Sequence, residues 1–141
     1  MNLGLEAGVA APALVAALRA PAMAARLWAE RSLDKGTAAF ASDDRSEDVY
    51  LLLQGLIRLV YVSRDGDAWI KSFIIDCGVF SGRGATDTTN ASYGAEAVEH
   101  CRFVRLPRAF VADLLARDER VRNAYAGFQT WVLARKQARE A

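Results

Sequence analysis

One histidine in 141 residues, two cysteines, three prolines and a net charge of only +1 set the first limits on this chain. A lone imidazole, His100, cannot build the multi-histidine sets that hold catalytic zinc or iron. It has no Gly-x-Ser-x-Gly elbow to serve either. Cys77 and Cys101 supply neither a disulfide framework nor the four sulfurs of a zinc quartet or an iron–sulfur cluster, so both are expected as inert reduced thiols. No apolar run reaches the roughly 18 residues that a membrane helix needs. The alanine-rich stretch Val9–Ala25 is broken by Arg19 and Pro21, and it lacks the basic start of a signal peptide. The acidic group Asp43, Asp44, Glu47 and Asp48 has no EF-hand spacing and reads as a solvated loop. The expectation is a soluble cytoplasmic protein that is not an enzyme, holds no metal or cofactor, and presents no global basic field to nucleic acid.

β-forming apolar residues, by contrast, are abundant. The stretch Asp48–Gly84 reads as strand, Gly, strand, Asp-Gly turn, strand, Gly-rich loop. Val49–Leu53, Leu56–Val62 and Ala68–Ile75 are apolar segments bounded by Gln54-Gly55, Ser63–Asp67 and Cys77-Gly78. Asp65-Gly66 predicts a tight hairpin, because Gly accepts the positive φ that such a turn requires. In the second strand Ile57, Leu59 and Tyr61 share the more apolar face and are expected to point into a core. Short strands are also expected from Arg31 into a turn at Gly36, over Thr37–Phe40, over Ala91–Val98 and over Arg102–Leu106. Residues 81–90, SGRGATDTTN, form a long loop of small polar residues, the kind that often carries function.

Helices are expected on either side of these strands. Pro12 suits the first turn of a short helix to Leu18, and Pro21 the start of a second, Ala22–Glu30. Pro107 opens a helix with the stripe Phe110, Val111, Leu114 and Leu115, and Asp118 can cap a last helix from about Glu119 onward. The apolar positions of that last helix recur at threes and fours in a stripe too wide for one neighbour. Tyr125, Phe128, Trp131 and Val132 are therefore expected to pack against a second copy of the chain. The alternative is a terminal helix folded only on its own core. No βαβ alternation occurs, so the fold class is mainly β with flanking helices, an antiparallel jelly roll or barrel. The expected organisation is one domain: N-terminal helices over 1–30, a β-roll over 31–106 and C-terminal helices over 107–141.

Taken in order, several segments resemble the cyclic-nucleotide-binding (effector) domain of the Crp/Fnr family of bacterial transcription regulators. Lys35-Gly36 precedes a strand ending at Phe40. Val49–Leu59 is similar to the family's paired strands around a glycine, and Asp65-Gly66 matches its hairpin turn. Gly78-Val79-Phe80-Ser81-Gly82 is similar to the start of its phosphate cassette. Ala95-Glu96-Ala97 falls on the strand after that cassette, and Val104–Leu114 matches the lead into its long dimer helix. The resemblance covers roughly Trp28 to Ala138 and implies a jelly-roll sensor that forms a homodimer through its last helix.

The resemblance also places the ligand chemistry. The pocket would involve Ser81, Gly82, Arg83, Gly84, Asn90, Ala91 and Ser92. Arg135 and Lys136 fall where family members contact a bound base from the last helix. Members that bind a cyclic nucleotide carry a Glu for the ribose and an Arg for the phosphate. Here Arg83 stands at the Glu position, and the segment Asn90-Ala91-Ser92 has no arginine. The expectation is a degenerate, non-cAMP pocket for a small anionic effector of unspecified identity, with Arg83 and backbone N–H groups facing the anion. The alternatives are a ligand-free dimerisation scaffold and a cupin-like metal enzyme. Family members continue into a helix-turn-helix domain. The ending Leu133–Glu140 reads as a helix cut in passage, so DNA is expected as a partner only through a domain missing from this chain, with no membrane contact.

Overall fold

The computed structural model describes residues 11–40, 48–63, 65–81 and 92–127. It contains β1 Glu30–Leu33, β2 Ala38–Phe40, β3 Val49–Gln54, β4 Ile57–Val62, β5 Ala68–Ile74, β6 Val79–Ser81, β7 Ser92–Ala97 and β8 Cys101–Leu106. These form two four-stranded sheets, β1-β8-β3-β6 and β2-β7-β4-β5, in which every pairing is antiparallel. The mainly β, jelly-roll architecture expected from the sequence is present, with helices flanking it.

The alternation of side chains along each strand sorts them into two cores. Tyr50 and Leu52 of β3 face the space between the sheets, where they meet Ile57, Leu59, Ile74, Phe80 and Phe103. Ile57 and Leu59 point inward as expected, and Tyr61 packs at the margin of the same cluster. Val49 and Leu51 point the other way, into a second core built with Val79, Val104 and Leu106 and roofed by helices. β3 is thus buried on both faces, which is why it reads as an unbroken apolar run.

Three helices provide the roof: α1 Pro12–Ala24, α2 Arg108–Arg117, and α3, described over residues 119–127. Asp118 caps α3 as expected, accepting the backbone N–H groups of Arg120 at 3.0 Å and Val121 at 3.3 Å. The N-terminal end corrects the expectation of two helices. α1 runs through Pro21, which lies in its last turn, so the ring removes one hydrogen bond while the buried stripe Leu14, Val15, Leu18 and Ala22 continues unbroken. The helix then closes in a Schellman motif. Leu27 N–H donates to the Ala22 carbonyl at 2.8 Å and Arg26 N–H to that of Met23 at 3.0 Å. Arg26 takes the left-handed conformation, φ 61°, where glycine is usual. Residues 27–29 are non-helical and lead into β1, so no second helix forms over Ala22–Glu30.

The strand directions gather the connections at two opposite ends. At one end the β3–β4, β5–β6 and β7–β8 connections interlock. Leu52 exchanges backbone hydrogen bonds with Gly78 and Cys77 (2.9 and 2.7 Å), and Val98 N–H reaches the Leu56 carbonyl at 2.8 Å. Gly55 N–H donates to the Asp76 carboxylate at 2.8 Å. Gly55 has φ 122°, and a Cβ there would lie 2.6 Å from Cys101 Sγ and 2.9 Å from Cys101 Cα, so only glycine fits. At the other end lie the Asp65-Gly66 turn and the two strand ends that bracket residues 82–91.

Candidate functional site

β6 is an edge of the first sheet, and β7 lies inside the second. The chain therefore passes from one sheet to the other between Ser81 and Ser92. Ser81 pairs in register with Val49, and Ser92 with Val62, next to the β4–β5 hairpin. Of the expected pocket residues, these two are brought to the same end of the sandwich. Gly82, Arg83, Gly84, Asn90, Ala91, Arg135 and Lys136 lie outside the described residues. Of the expected dimer residues, Phe128, Trp131 and Val132 also lie outside them. Tyr125 is half-buried and packs on the helix-side core.

The space between the sheets at this end is floored by aromatic rings. Tyr50 stacks on Phe80 with centroids 5.2 Å apart and meets Phe103 at 6.0 Å. Across from them, Tyr61 and Trp69 lie 5.5 Å apart. One level with Tyr50 in the strand register is Arg105. Its guanidinium lies 5.9 Å from the Tyr50 ring centroid, and its Nε donates to the Asp48 carboxylate. A planar cation held over a ring and paired with a partly exposed carboxylate can exchange that partner for an incoming anion. Arg105 was not among the residues expected from sequence. The signal was available: Cys101, Phe103 and Arg105 alternate along β8, so a charge shares the inward face with two buried side chains.

At the interlocked end, Cys101 is buried and its Sγ lies 3.4 Å from the Leu56 carbonyl and 3.2 Å from that of Glu99, both acceptors for the thiol hydrogen. Burial pushes its pKa up, which suits an inert thiol. His100 is exposed, with Nδ1 3.5 Å from Asp34. Among the described residues, no group of three His, Cys, Asp or Glu side chains could hold a metal ion, and no helix is long and apolar enough to cross a membrane.

A two-sheet antiparallel roll with helices on one face and an aromatic cluster between its sheets defines the class of β-roll domains. The cyclic nucleotide-binding domain family matches residues 30–118. The nitrogen fixation regulation protein FixK of Azorhizobium caulinodans is 33% identical over 96 residues, which is 68% of this chain and 34% of FixK. The chain thus spans about a third of the length of that curated relative. Among solved structures, unbound oxidised CprK matches with a TM-score of 0.67 at 16% identity, covering 88% of this chain and 59% of CprK. The catabolite activator protein of Thermus thermophilus matches at 0.63 and 21% identity, covering 94% of this chain and 59% of that protein. The chain belongs to the cyclic nucleotide-binding domain family.

Proposed function

We propose that this chain is the effector-sensing and dimerising part of a cytoplasmic Crp/Fnr-like transcription regulator, with a pocket altered away from cAMP. The observation that carries the reading is that the strand ends Ser81 and Ser92 come to one end of the sandwich, the end at which the Tyr50–Phe80 stack and the Arg105 guanidinium lie. A small anion would be held there by backbone N–H groups of the glycine-rich stretch Gly82–Gly84 and by Arg83, with Asn90, Ala91 and Ser92 on the returning side. Arg105 adds a second cation at the rim. Arg135 and Lys136 of the last helix would complete the pocket, and Tyr125, Phe128, Trp131 and Val132 would join two copies. Binding would then act by favouring one arrangement of the paired helices over another. DNA contact belongs to a further domain of the parent protein.

Calorimetric titration with cAMP and cGMP, alongside light scattering, tests this. The expected result is a dimer that binds neither cyclic nucleotide in the micromolar range. Micromolar cAMP binding overturns the altered pocket, and a monomer at high concentration overturns the dimer.

A further inference from the structure

A second recess lies on the opposite, helix-side face of the first sheet, away from the crossing between the sheets. Its volume is about 440 Å³, within the roughly 300–1,000 Å³ usual for small-molecule sites. One wall is a single face of α1: Pro12, Val15, Ala16 and Arg19 follow the i, i+3, i+4, i+7 spacing that places side chains in one row. The other wall comes from three adjacent strands, with Glu30 on β1, Arg102 on β8 and Leu53 on β3, and Trp28 also lines it just before β1.

The charges in this recess are not balanced. Arg102 is committed: it donates to Glu30 at 2.8 Å and to Gln54 at 3.3 Å. Arg19 has no carboxylate partner among the described residues, and its guanidinium is held 5.8 Å from the centroid of the Trp28 ring. With Glu30 cancelling Arg102, the recess carries one net positive charge, on a guanidinium oriented by an aromatic face. Independently, the Trp28 indole Nε1 is buried and has no hydrogen-bond partner among the described residues. Buried donors are almost always satisfied, so Trp28 gains a hydrogen bond if its ring shifts to bring Nε1 to an acceptor in the recess. A one-charge cation site, an indole and the apolar side chains of Val15 and Leu53 together describe a small planar molecule with a single carboxylate.

We propose that the recess between α1 and the edge of the first sheet is a second binding site, for a small aromatic monocarboxylate whose carboxylate pairs with Arg19. A dianion such as phosphate is less suited, because Glu30 stands in the same recess. The site needs none of the residues of the proposed effector pocket, so either can fail without the other.

The test is an NMR titration of the whole chain with sodium benzoate, following the Trp28 indole N–H resonance, assigned by its loss in Trp28→Phe. A saturable shift is expected, weakened about tenfold or more in Arg19→Ala by loss of the charge-assisted hydrogen bonds, and abolished in Ala16→Phe, which fills the recess from an exposed helix position. Inorganic phosphate should leave the resonance in place. No saturable shift, undiminished binding in both variants, or an equal response to phosphate overturns the proposal. The thermal transitions of Arg19→Ala and Ala16→Phe should match the parent's. If one variant unfolds, the other still decides.

Discussion

The two sheets have similar apolar sequences and opposite surroundings. In the first, β3 is covered on both faces, and Leu51 is fully buried. In the second, β5 is an edge strand on which Ile70 and Phe73 remain about half exposed, at 49% and 47%. VYLLL is apolar throughout, and AWIKSFI is apolar at five of its seven positions. What separates them is whether helices lie over the outer face, and that is decided by α1, α2 and α3, remote in the chain. Burial, not composition, sets what a strand contributes to stability.

The comparison is sharpest in substitutions. Leu51→Ala removes a side chain from the doubly covered sheet and should cost about 2–5 kcal/mol. Phe73→Thr on the open sheet keeps a β-favouring residue and should cost less than about 1 kcal/mol. Chemical denaturation of both variants checks this, and equal losses would mean that β5 is covered in solution.

Gly55 joins the two sheets. Gly55→Ala forces a Cβ against Cys101 and strains a φ of 122°. A loss of about 1–3 kcal/mol from strain alone is expected. Adding Cys101→Ala should recover only part of it, since backbone atoms of His100 and Cys101 remain within 2.9 Å of the new Cβ.

Cys101 gives a smaller, pH-dependent effect. Its folded pKa lies above the ordinary thiol value because burial penalises the thiolate. The folded state therefore holds its proton to higher pH than the unfolded state. Its contribution is intact below the unfolded thiol pKa and declines as pH rises from there through the folded pKa. Stability measured at stepwise alkaline pH should fall more steeply in the parent than in Cys101→Ala, and parallel curves would refute the assignment.

The smallest effect is on the open face of the second sheet. There Arg58 donates to Glu96 at 2.6 and 2.9 Å across the β4–β7 pair. Glu96→Gln should cost no more than about 1 kcal/mol and lose that effect in high salt. A larger, salt-insensitive loss would show that this face is also covered.

Much of the fold was legible because it is local. Gly55, Asp65-Gly66 and Gly78 mark the turns, the alternation of Ile57, Leu59 and Tyr61 orients β4, and Asp118 announces α3. Pro21 misled because proline reads as a helix start, yet the last turn of a helix tolerates it when the buried stripe runs past. The crossing between the sheets was legible as a polar loop after Phe80, although seven of its expected contributors lie outside the described residues. Arg105 was missed because its charge suggested solvent, and only its alternation with Cys101 and Phe103 reveals the inward face. The recess beside α1 could not be read at all: Arg19, Leu53 and Arg102 meet only once the sheet is built.

The interlocked end of the sandwich has a mechanical consequence. Gly55, Asp76, Gly78 and Leu52 tie the sheets together there, while at the far end the chain passes between the sheets twice, from Phe40 to Val49 and from Ser81 to Ser92. A guest held between the sheets would meet the stiffest resistance at this tied end, and any change in their spacing at the far end would be felt at Pro107, where β8 hands the chain to the helices.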